Sequence, residues 1–253
     1  MWTVRVTLPL AAADAPSAAV AVLAGIVALS ITAIAWETLR RIITMTHEGS
    51  HAMAAWLVDS RVYSVVLSRD KNLTKRAATG RRSSEVLIKS AGYIGPSFFG
   101  LLGSLLLVRG QVEPVLWISV VLLGLLLLKV ATWFGRIGVT LTGAVLFVMA
   151  RYAPDALQTL FAATWIWFLL IGGFGNVIRL HHARQAAKAA KKPDKSSDVY
   201  ALWKLILVPP PVGVALFWLG SLAALILGAG ILLGLVEAPS GPPAPAAPTA
   251  TPT

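Results

Sequence analysis

Cysteine is absent from all 253 residues, which removes disulfides, thiolate metal sites and cysteine nucleophiles and leaves His, Asp, Glu or Asn to hold any metal. Charge is also scarce. Only 13% of the residues are Asp, Glu, Lys or Arg, 11 of them acidic, and there are four histidines. With 57% hydrophobic residues and a mean hydropathy of +0.75, this balance excludes a water-soluble domain and describes a polytopic membrane protein.

The few charges are unevenly placed. The net charge of +11 would suggest nucleic acid as a partner in a soluble chain, but segments 59–89 and 179–204 together hold 15 of the 22 basic residues. Basic clusters between apolar spans mark cytoplasmic loops facing anionic lipid, and the aromatic residues lie mostly within the spans, so no nucleic-acid partner is expected.

The expected fold is all-α, with about six to seven transmembrane helices near 18–36, 42–58, 90–108, 112–130, 135–150, 156–178 and 208–236. Glu37, Arg40 and Arg41 stand either in an external turn between the first two spans or within one long helix. After the second span, the β-branched and aromatic run Val62–Leu67 predicts a short cytoplasmic β segment, whose edge could take up an extended peptide. Residues 1–236 read as one integral membrane domain. The Pro, Ala and Thr of 237–253 cannot build a core and predict a disordered tail.

Chemistry concentrates in Thr46-His47-Glu48-Gly49-Ser50-His51, which fits H-E-x-x-H. Four residues on a helix advance about 400°, so His47 and His51 project from one face a turn apart, as two ligands of one tetrahedral zinc require. Glu48 points about 100° away and is free to contact water at the metal as general base. The alternative is a buried, hydrogen-bonded polar cluster. Against it, an ionisable triplet inside an apolar span is expensive and is kept for function by default. His181 and His182 are adjacent, cannot share a helix face, and read as solvated.

A membrane-embedded H-E-x-x-H followed by a β segment and a Gly-rich span resembles the site-2 protease class of intramembrane zinc metallopeptidases. More narrowly, Trp36 and Arg40 before His47-Glu48-Gly49-Ser50-His51, then Ala91-Gly92-Tyr93-Ile94-Gly95-Pro96 and Gly172-Gly173-Phe174-Gly175-Asn176, are similar to a bacterial branch of that class. The resemblance spans about residues 30–230. It implies zinc as cofactor, a membrane-protein substrate cut in or beside a transmembrane segment, and residence in the bacterial plasma membrane.

The resemblance also implies a third ligand from a later helix. An acid would be expected in the Gly-Gly segment, where this chain has Asn176; Asp198 is the other choice, with helix N-cap as its plainer role. The missing acid leaves room for a catalytically inactive relative that binds membrane segments as a chaperone or regulator. A haem carrier fits poorly, since axial pairs come from opposite sides of the ring rather than from positions i and i+4. A transporter would spread polar groups over several spans.

Overall fold

In a membrane, every backbone N–H and C=O must find its partner within the protein, and a chain this apolar does so by forming helices. The computed structural model describes residues 15–68, 72–191 and 198–237. In chain order these are α1 (Ala18–Ile34), α2 (Trp36–Leu57), β1 (Val62–Leu67), β2 (Asn72–Arg76), α3 (Arg82–Leu107), α4 (Val112–Leu127), α5 (Trp133–Tyr152), α6 (Asp155–Ala189), α7 (Asp198–Ile206) and α8 (Pro210–Leu232). The segment read as a tail falls, from residue 238 onward, outside the described residues.

By length and composition α3, α5, α6 and α8 are long and apolar enough to cross a membrane, and α1 with α2 makes a fifth if that bent pair is one span. The larger sequence-based number counts α1 and α2 separately and includes the 16-residue α4.

The charged segment around Glu37 is neither a loop nor part of a straight helix. The chain breaks at Ala35, and α2 leaves α1 at 108°. No proline or glycine marks the break; tertiary contacts hold it. Trp36 lies against Gly175, where an added Cβ would come within 3.0 Å of the indole, and Ile43 fills the space that a side chain on Gly172 would need. Arg40 Nε donates to Glu37 Oε2 at 2.7 Å on the outer face.

The 35-residue α6 is the post around which the bundle is built, packed by α1, α3 and α8. Small residues on α3 allow the approach. Gly92, Gly95, Ser97, Gly100, Gly103 and Ser104 are all buried, and Leu170 of α6 seats so closely that a Cβ on Gly100 would lie 2.7 Å from its Cγ.

The β segment at 62–67 is present and belongs to a hairpin. β1 pairs antiparallel with β2, with an irregularity between Val62 and Ser64. The outer edge of β1 is occupied at its centre, because Val65 N–H donates to Lys129 O at 2.7 Å and Ala131 N–H donates to Val65 O at 2.8 Å. The edge expected on β1 is therefore taken, and among the described residues β2 has no second strand. The hairpin folds back along α2, where Thr74 of β2 reaches Glu48.

Candidate metal centre

His47, Glu48 and His51 are all buried on α2, at 9%, 5% and 6% exposure. The two rings meet edge to face with centroids 4.8 Å apart. Their Nε2 atoms lie 3.2 Å from each other, and Asp198 Oδ2, on the first residue of α7, lies 3.1 Å from His51 Nε2 and 3.7 Å from His47 Nε2.

Proton positions around His51 follow from its far side. Nδ1 sits 2.6 Å from the Ile88 carbonyl, which can only accept, so Nδ1 carries the hydrogen and a neutral ring turns an Nε2 lone pair toward Asp198. Lys89 Nζ, 3.0 Å from Asp198 Oδ1, is the cation that pairs with the carboxylate. Electron-rich atoms therefore converge on one point. A single proton can serve only one of the three edges, whereas a cation among them serves all three.

The dimensions suit zinc. Two ligands about 2.0–2.1 Å from a tetrahedral zinc stand about 3.4 Å apart, and the three edges here are 3.1, 3.2 and 3.7 Å. Gly92 keeps the place clear: a Cβ there would collide with His51 Nε2 and lie 2.7 Å from His47 Cε1. Its neighbour one turn on, Gly95, similarly admits Ser50, whose hydroxyl donates to Thr46 O at 2.6 Å.

Asn176 is close but on the other side of the ring. Its amide lies 3.3 Å from His47 Nδ1, away from the point where the Nε2 atoms meet, and a half-turn of the amide presents its oxygen to an Nδ1 hydrogen. Glu48 faces the hairpin, accepting from Thr74 Oγ1 at Oε2 over 2.8 Å and at its own carbonyl over 3.1 Å. His181 and His182 are exposed on α6, as expected of solvated residues.

Three partners of this cluster were not legible from the sequence, the Ile88 carbonyl, Lys89 and Thr74, and a fourth, Tyr93, stood there only as a member of the motif at 91–96. Lys89 Nζ donates to Asp198 Oδ1 at 3.0 Å, and Tyr93 meets His47 edge to face at 4.6 Å before stacking on Phe217 at 5.2 Å. Lys89 and Tyr93 flank the Ala91-Gly92 pair, which was the only available hint; nothing in the strand sequence singles out Thr74.

Comparison with protein families gives a match to the M50B-like peptidases over residues 18–228. The chain belongs to the M50B-like peptidase family. This is a metallopeptidase family, and His47, His51 and Asp198 form the group of potential metal ligands found among the described residues. No curated protein and no solved structure matches the chain. Family membership agrees with the site-2 protease-like resemblance, and with apolar helices it supports a membrane protein.

Proposed function

We propose that this M50B-like protein is a zinc-dependent intramembrane protease of the bacterial plasma membrane that hydrolyses a peptide bond in or beside a transmembrane segment of another membrane protein. The observation that carries this reading is the convergence of His47 Nε2, His51 Nε2 and Asp198 Oδ2 at one point beside a buried Glu48. In this reading Asp198 is the third ligand, and Asn176 orients the His47 ring from its Nδ1 side. An acid beside the two histidines favours this reading over an inactive relative.

Zinc held there would supply Lewis acidity toward the scissile carbonyl and make water a nucleophile near neutral pH. The Glu48 carboxylate takes the proton from the attacking water and returns it to the leaving amine. Ile88 O fixes the His51 ring and Thr74 fixes Glu48, so the groups are in position before substrate arrives.

Depth supports a membrane substrate. From Asp155 at the start of α6 to Asn176 is 21 residues, about 31 Å of helix against a hydrocarbon core of about 30 Å. The centre then lies at the end of the span that carries the basic segments, where water can reach it and a substrate helix has only to unwind locally to expose a carbonyl.

Metal analysis of the purified full chain tests the proposal. One zinc per chain is expected, with cleavage of a transmembrane substrate abolished by a chelator and restored by zinc; protein holding no zinc overturns it. A finer outcome concerns the hairpin. Thr74→Val removes a hydrogen bond to a carboxylate, worth about 1.5–3 kcal/mol, so turnover should fall by roughly tenfold or more while zinc content stays at the wild-type level.

A further inference from the structure

The opening turns of α3 touch every member of the metal cluster. Ile88 O is 2.6 Å from His51 Nδ1, Lys89 Nζ is 3.0 Å from Asp198 Oδ1, Gly92 leaves room for both imidazoles, and the Tyr93 ring lies against His47. Asp198 is the member most in need of such a hold. Its helix, α7, has only nine residues, too few to be stable alone, and is anchored by buried Val199 and Leu202 with Val199 lying beside Gly213 of α8. Those apolar contacts fix the helix but not the rotation of the carboxylate at its first residue. The two oxygens of that carboxylate are chemically equivalent, and what distinguishes them here is that Lys89 engages one while the other faces the imidazoles.

Resting on the zinc-site reading above, we propose that Lys89 is a positioning residue for the third ligand, holding Oδ1 of Asp198 so that Oδ2 alone is presented to the metal. The ammonium group is compact, carries three donors and can keep Oδ1 while leaving Oδ2 uncovered. Lys89 is not a ligand, since a protonated amine has no lone pair. It acts through Asp198.

Positioning and simple electrostatics predict opposite signs, which makes the role testable. Taking a positive charge away from a dication should tighten metal binding if charge is all that matters. Releasing a ligand that was held in one rotation should weaken it, by the roughly 10–100-fold typical of outer-shell partners.

The experiment is competition of zinc between a chelator and the full-length protein in detergent, for the wild type, Lys89→Met and Lys89→Arg. Cobalt(II) absorption reports ligand geometry in the same samples, and thermal unfolding of the metal-free proteins shows that each variant is folded. Zinc held 10–100-fold more weakly by Lys89→Met, with an altered cobalt spectrum, and affinity recovered to within about threefold by Lys89→Arg, is the expected result. Unchanged or tighter binding by Lys89→Met overturns the positioning role and leaves the zinc site standing. Failure of the wild type to bind zinc overturns both.

Discussion

Glu48→Gln is expected to leave zinc binding intact and to lower peptide-bond hydrolysis by about 10²–10⁴-fold, the range that a positioned general base contributes. The two readouts separate because Glu48 is not one of the three converging ligand groups. On α2 Glu48 lies about 100° round from His47, and its Oε2 is held by Thr74 from the hairpin rather than by any atom of the metal cluster. Glutamine keeps the shape and can still accept from Thr74 Oγ1, so neither helix packing nor the hairpin is disturbed; what it loses is the capacity to take a proton. Side-by-side metal analysis and cleavage assays of the two proteins check this. Loss of zinc from the variant would mean that Glu48 is itself part of the metal site, and retained cleavage would remove it from the reaction.

Thr74 shows why only part of this centre could be read from the chain. The His47-Glu48-His51 spacing is local, set by one helical turn, so the sequence alone defines it. β1 is local in the same sense, and a run of β-branched residues predicts it residue for residue at Val62–Leu67. Thr74 acquires its role only because the hairpin folds back along α2, 26 residues from Glu48. The break at Ala35 is hidden for a related reason. With neither proline nor glycine to mark it, the 108° turn between α1 and α2 depends on Trp36 and Ile43 meeting Gly175 and Gly172 of α6, 139 and 129 residues away in the chain. Gly92 and Gly95 lie between the two cases: as small residues on a span they announce close packing, but that the partners are His51, His47 and Ser50 is visible only in three dimensions.

Sequence leaves two choices for the third ligand, Asn176 and Asp198, and a set of substitutions tests the proposed assignment to Asp198. Asp198→Ala should reduce zinc affinity well beyond the 10–100-fold typical of an outer partner, because it deletes both a donor atom and the negative charge that offsets the dication. Asn176→Ala should stay within that 10–100-fold range, since it removes only the group against His47 Nδ1. Asn176→Asp should not weaken zinc, because a carboxylate on Nδ1 holds the same tautomer more firmly and makes the imidazole a stronger donor at Nε2. The double variant Asp198→Ala with Asn176→Asp is the decisive one. If position 176 could reach the metal, the new carboxylate would replace the lost one and zinc binding would return. A group bonded at Nδ1 stands off the ring in a different direction from one at Nε2, because the two in-plane lone pairs diverge around Cε1; the double variant should bind zinc as poorly as Asp198→Ala alone in the same chelator competition.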